Sequence, residues 1–366
     1  MTLHYKKVVA ALKNMFVADA LAMPVHWFYN PADIEKAFSG GITGFEAAPA
    51  VHPSSIMSLH STQAGGRRAQ GKTRRKREIV GDVILKGKRS FWGQPNQHYH
   101  QGMQAGENTL NAHCARVLMR SLAASSGAYD KQRFLDDYID FMTDDPPRHP
   151  DTYAESYHRG FFANLESGQP RECCAATTHD TPSIGGLVTI APIVFSERLR
   201  GVSLSEVKEH CLQHLYLTHP DAMLARVCAG YVQLLDDLLF CDSRQEGAEI
   251  LARVAKKSCG IDVAEMMKKS LDDRHVVGRM FSSACYITDS WPSVLYLAYK
   301  YTAAPKQALL ANTNLGGDNV HRGIVLGALL GVMAGEALSG WFDQLRQQHE
   351  ISREINALLA TATTAK

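Results

Sequence analysis

The sequence predicts an all-α protein, and three observations carry that expectation. Apolar residues recur at three-to-four spacing in one segment after another, as helices with a single buried stripe require. Alternating apolar–polar runs between turn dipeptides, the mark of strands and hairpins, are nearly absent. The stretch from His321 carries Gly323, Gly327, Gly331 and Gly335, with Ala328 and Ala334 between them. Glycine weakens a helix, so four at this spacing point to a central helix that another helix approaches very closely.

The first expected helix, 6–21, places Val9, Leu12, Phe16 and Ala20 on one stripe. Further helices are expected at 109–124, 133–142, 182–199, 204–216, 221–240, 248–256, 289–302 and 321–338. Residues 51–89 break the pattern with Ser, Gly and a basic cluster: Arg67, Arg68, Lys72, Arg74, Arg75, Lys76 and Arg77. That cluster suits either a phosphate grip, a nuclear import signal or a solvated loop. Glu78 and Asp82 follow directly and keep its charge local. The expectation is one domain over 1–366, with an inserted basic loop at about 51–89.

Composition narrows the function classes. With 366 residues the chain can bury a large core without staples. A net charge of +2 argues against global attraction to nucleic acid or an acidic membrane; only the loop 67–77 is locally basic. The eight cysteines include no CxxC pair, which excludes a zinc ribbon and argues against a disulfide framework. A reduced, cytoplasmic setting is expected. The N-terminal segment lacks the apolar run of a signal peptide, and no run of about 18 apolar residues predicts a membrane span.

Four polar islands lie beside helix ends. The first runs from Ala18 and Asp19 to Pro24, His26 and Trp27. The second joins His98, Tyr99 and His100 to Gly106, Glu107, Asn108 and Thr109. The third is Thr177 to Gly186, with His179, Asp180, Thr181, Ser183, Gly185 and Gly186. The fourth holds Asn312 to His321, with Gly316, Gly317 and Asp318. Taken singly, Asn108, Thr109, Asp180 and Asp318 read as helix N-caps. Together, acids, amides and imidazoles at helix starts, with glycines permitting close approach, make a site for a metal and an anion.

In order and spacing the islands resemble the ADP-ribosylglycohydrolase family, and in particular its crystallin J1-like branch, from about Tyr5 to Leu338. Ala18 to His26 is similar to the family's opening Gly-Asp-Ala-x-Gly-x-Pro-x-Glu. Gly106 to Thr109 stands in the place of its Thr-Asp-Asp-Thr. Thr218 to Asp221 resembles its Thr-His segment, and Gly316 to Asp318 begins its closing Gly-Gly-Asp-Thr-Asp-Thr. The Gly-Glu-Asn-Thr and His-Asp-Thr-x-x-Ile-Gly-Gly forms carry the likeness to the crystallin J1 branch. The resemblance implies a single-domain orthogonal helical bundle. It also implies two magnesium ions, cleavage of an N- or O-glycosidic bond to ADP-ribose, and an ADP-ribosylated protein or ADP-ribose-like small molecule as partner.

The departures fall on the chemistry. His26 stands where the opening Glu would be, and Gly106, Glu107 and Asn108 replace Thr, Asp and Asp. Val320 and His321 replace the second Asp and the Thr that follow Asp318. Loss of carboxylate charge disfavours a two-magnesium site. A mixed nitrogen–oxygen site for zinc, manganese or iron is one reading; the other leaves His26 and His321 as satisfied, metal-free polar groups. On the first, Glu107, Asn108, Asp318 and His321 hold the ion, and His26, Glu107 and Asp180 serve catalysis. His179, Thr181, Ser183, Gly185, Gly186, His219, Gly316 and Gly317 hold the substrate. A catalytically inactive, crystallin J1-like structural or ADP-ribose-binding protein is the alternative.

Overall fold

A computed structural model describes residues 3–63 and 77–363, and among them every regular element is helical. In chain order the α-helices are Leu3–Ala22 (α1), Pro31–Ala37 (α2), Leu110–Ala124 (α3), Lys131–Thr143 (α4), Ser156–Glu166 (α5), Ile190–Leu199 (α6), Leu204–Tyr216 (α7) and Ala222–Phe240 (α8). They continue with Arg244–Cys259 (α9), Val263–Lys268 (α10), Asp273–Val276 (α11), Ile287–Lys300 (α12), Pro305–Asn314 (α13), Asn319–Ala334 (α14), Ser339–Phe342 (α15) and Gln348–Thr363 (α16). The basic residues Arg67 to Lys76 lie outside the described residues. Arg77 is described: it sits 3.4 Å from Glu166 and donates to the Asp82 carbonyl.

Most expected helices form within a few residues of their expected ends. The main correction lies at 182–199, where Gly185 and Gly186 interrupt the helix and leave only a short turn, Ile184–Leu187, before α6. Helices α5, α13 and α16 were not among the expected helices, although Ile351, Ile355, Leu358 and Ala362 of α16 do recur at three-to-four spacing. Helix α5 mixes aromatic and polar residues, and α13 carries polar Asn312, Thr313 and Asn314 in its last turn.

The centre of the molecule is α1 laid against α14. Their contact depends on missing side chains. A Cβ on Gly327 would lie 2.5 Å from the Asn14 carbonyl oxygen, and one on Gly331 would lie 2.5 Å from Ala11 Cα. Gly335, expected on the same face, instead ends α14 in the left-handed conformation at φ 66°. Helix α1 with its following turn, Leu3–Val25, is long and apolar enough to cross a membrane, but 89% of its most apolar window is buried inside the protein. All eight cysteines are unbridged.

One buried charge ties this centre to the periphery. Lys7 of α1 donates its ammonium to the carbonyls of Leu238 (2.9 Å), Leu239 (3.2 Å) and Cys241 (2.6 Å), closing the C-terminal end of α8. Replacing it by Met should leave those carbonyls without a donor and lower stability by about 2–3 kcal/mol. Urea unfolding of the two proteins at pH 7 measures the difference.

Candidate functional site

Helix α14 opens on Asp318, and the side chains gathered there define the site. The turn after α1 delivers His26, the loop before α3 delivers His100, and the approach to α5 delivers Asp151 and Glu155. They form a buried chain of acids and imidazoles. Asp151 Oδ1 lies 2.8 Å from His100 Nδ1, and His100 Nε2 lies 2.8 Å from His26 Nδ1. His26 Nε2 lies 3.0 Å from Asp318 Oδ1, which in turn is 2.7 Å from His321 Nδ1. His321 Nε2 is 3.4 Å from Glu155 Oε1. The ligating atoms of His26, Asp318 and His321 all fall within 4.8 Å of one another.

The surrounding elements hold this chain in register. Asp151 Oδ2 accepts from the Leu110 backbone N–H at 2.7 Å, so a carboxylate closes the positive end of α3. Asp19 clamps the same helix to α1, accepting from Thr109 N–H (2.8 Å), Thr109 hydroxyl (2.6 Å) and the Asn108 amide (2.7 Å). Trp27 takes a left-handed backbone, φ 62°, uncommon for a large side chain. Its N–H donates to the Gly317 carbonyl at 2.8 Å, and its ring stacks on His26 with centroids 3.7 Å apart. Asp318 does not cap α14; its second carboxylate oxygen, Oδ2, is buried with no hydrogen-bond partner.

Burial and charge set the protonation states. Burial pulls His26 down to about 3 despite its Asp318 partner, so the ring is neutral at pH 7. Burial also opposes the charge on His321, but Asp318 and Glu155 outweigh it and hold the imidazolium up to about 10. Glu155 resists burial through its His321 partner and is held down to about 2. The Asn111 amide nitrogen lies 2.6 Å from both Glu155 Oε1 and His321 Nε2. Tyr157 donates to the Asn111 oxygen, so the amide nitrogen faces Glu155 and donates to it, and with the imidazolium Nε2 itself a donor the Asn111 hydrogen bond is the one to Glu155.

A pH dependence follows from the Glu155 and His321 shifts. The lowered Glu155 contributes stability that is complete above its ordinary 4.5 and lost as pH falls toward about 2. The raised His321 contributes stability that is complete below its ordinary 6.5 and lost as pH rises toward about 10. The urea midpoint should therefore decline between pH 7 and 9 in the wild type. That decline should flatten in His321→Gln, which titration of the midpoint would show.

Above the chain opens a cavity of about 380 Å³. Its walls are the rings of Trp27, Tyr29, Tyr99, Tyr153, Tyr157 and Tyr286, and Glu155 and His321 contribute to its lining. His179 and Asp180 line it too, paired at 3.0 Å, and His179 is 65% exposed, so the pair sits at the rim. No lysine or arginine lines it among the described residues.

Of the expected site residues, the structure brings His26, Asp318 and His321 together, and sets His179, Asp180 and Ser183 on the cavity above them. His26 itself is fully buried and does not line the cavity. Gly185 lies against the His321 ring, where a Cβ would sit 3.7 Å away. Thr181 turns inward, its hydroxyl accepting from Thr178 N–H. Gly186 and His219 lie behind Tyr157 instead of on the cavity; the His219 and Tyr157 rings are 4.3 Å apart, and burial holds His219 down to about 3. Gly316 and Gly317 make room for backbone: a Cβ would meet Phe28 O at 2.0 Å or Ser283 O at 2.1 Å. Glu107 and Asn108 do not reach the cluster. Glu107 accepts from Gln104 N–H beside a separate cleft, and Asn108 spends its amide on Phe16 O and Asp19.

Sequence reasoning passed over Asp151, Glu155, Tyr157 and Asn111, and named His100 within an island without giving it a role. Asp151 and Glu155 both precede α5 in an irregular stretch, Glu155 as the residue just before the helix, so no helical spacing marks them in the sequence.

The fold and the site define an all-α protein in which an imidazole–carboxylate cluster underlies a ligand-sized cavity. The family model described as ADP-ribosylglycohydrolase matches residues 1–366. A solved structure titled "ADP-ribosylglycohydrolase-related protein complex" is similar with a TM-score of 0.55 at 16% identity, over 99% of this chain and 100% of that one. No curated protein matches the sequence. The chain belongs to the ADP-ribosylglycohydrolase family, whose active members are metal-dependent hydrolases of ADP-ribosylated substrates.

Proposed function

We propose that the protein hydrolyses an N- or O-glycosidic bond to ADP-ribose or a related group in the aromatic cavity, over a metal site altered to His26, Asp318 and His321. The observation that carries this reading is Glu155, an ionised carboxylate on the cavity lining whose Oε2 is buried and without a hydrogen-bond partner. Glycosidic hydrolysis needs one group to accept a proton from water and another to protonate the leaving atom. We assign Glu155 to the first task and the His179–Asp180 pair at the rim to the second, the imidazole carrying the proton and Asp180 orienting it. The aromatic walls orient the sugar and base and exclude water.

The donor set decides which ion suits the cluster. Two nitrogens and one carboxylate, with Asp318 Oδ2 left unsatisfied, fit a single zinc, manganese or iron ion and not the oxygen shells of two magnesium ions. Val320, where the family places its second Asp, is buried among apolar residues. The hydrogen bond between His26 and His100, itself held by Asp151, is the kind of outer contact that orients a ligating imidazole. A bound ion would acidify water beside Glu155.

The alternative, a catalytically inactive crystallin J1-like structural or ADP-ribose-binding protein, is favoured by one observation: His26 and His321 already have carboxylate partners. Two measurements separate the readings. Elemental analysis of protein prepared without chelator should find about one equivalent of transition metal, lost in His321→Ala. Release of ADP-ribose from modified arginine and serine substrates should depend on that metal. A metal-free protein that releases nothing, even after zinc or manganese is added back, supports the inactive alternative.

A further inference from the structure

A second cavity, far larger at about 880 Å³, lies between α8, α9 and α12. Its floor is apolar, with Val227, Phe281, Trp291 and Pro292. Cations stand on both walls: Lys208 and Arg226 from α7 and α8, Arg253 and Lys257 from α9. Arg226 and Lys257 have no ion-pair partner among the described residues. Asp237 is the only carboxylate of the lining among the described residues, and it is engaged by the Gln233 amide at 2.8 Å.

Gly230 sits inside α8 on this cavity. Gly327 and Gly331 of α14 are explained by the backbone of α1 pressed against them, but a Cβ on Gly230 would meet nothing within 4 Å. Glycine is among the weakest helix formers, so a mid-helix glycine with open space above it has no account in the packing of this chain. A side chain there would project into the cavity and take up room that a ligand needs. The volume is that of a small-molecule site, with an apolar lining and a few charged groups to fix orientation.

We propose that this cavity binds a small amphiphilic anion, its apolar body over Gly230, Val227 and Phe281 and its carboxylate or phosphate head between Arg226 and Lys257. The site is independent of the His26–Asp318–His321 cluster.

Isothermal titration calorimetry with decanoate, decyl phosphate and neutral 1-decanol tests it on the full chain. Both anions should bind saturably at one site, and the tighter of the two identifies the head group. Gly230→Leu should fold with an unchanged or raised melting temperature, because it improves the helix, and should weaken anion binding by at least about tenfold. Arg226→Glu with Lys257→Glu should weaken the anions by a similar factor and leave decanol unchanged. The proposal is overturned if neither anion saturates below about 1 mM, if decanol binds as tightly as the anions, or if Gly230→Leu binds like the wild type.

Discussion

Gly331→Leu should yield a protein that does not reach the native fold, seen as loss of the cooperative unfolding transition and of soluble yield. Even the first added atom, Cβ, would stand 2.5 Å from Ala11 Cα and 2.6 Å from the carbonyl carbon and oxygen of Ala10. Those are backbone atoms of a buried helix, so no rotamer change relieves the clash. Moving α1 away would also shift His26 and Asp19, which hang from its C-terminal end, and so would disturb both α3 and the site. Overpacking normally costs about 1–3 kcal/mol, but a side chain driven into a neighbouring helix backbone exceeds what a marginally stable protein tolerates. Gly331→Ala should already be strongly destabilised, which urea unfolding would measure.

Glu155→Gln should reduce glycosidic hydrolysis by about 10²–10⁴-fold, the range associated with loss of a general base. The amide keeps the shape, and its oxygen can still accept from Asn111, so the helix start at α5 should persist. What it loses is the negative charge that accepts a proton on the cavity lining. Measured on ADP-ribosylated arginine and serine substrates, the loss should appear in kcat and not in KM, since the aromatic walls that hold the substrate are untouched. An unchanged rate would remove Glu155 from the chemistry. Asp180→Asn then becomes the variant of interest.

Much of the fold was legible because its cause is local. Three-to-four apolar spacing follows from helix geometry and needs no partner to be read, so α1, α3, α7 and α8 were anticipated within a few residues. The glycine series on α14 was legible as a close-approach face for the same reason. Where local signals conflicted, the reading failed. Gly185 and Gly186 broke a helix that periodicity alone would continue, and Gly335 served as a helix stop instead of a contact.

The site divides in the same way. Family-like motifs drew attention to His26, Asp318 and His321, which do converge, but could not show which acids join them. Glu107 is adjacent in motif yet faces another cleft, while Asp151 and Glu155 come from the approach to a helix that the sequence hid. The sequence by itself determined the helical class and the central glycine face, and it set His26, Val320 and His321 where the resemblance expects Glu, Asp and Thr. Only the tertiary structure decided that His26 is sealed behind Trp27, that Asp318 carries an unsatisfied oxygen, and that Glu155 reaches the cavity. Helix formation is governed by neighbours along the chain, whereas a site is governed by distances across it, and those are fixed only when α1, α3, α5 and α14 meet.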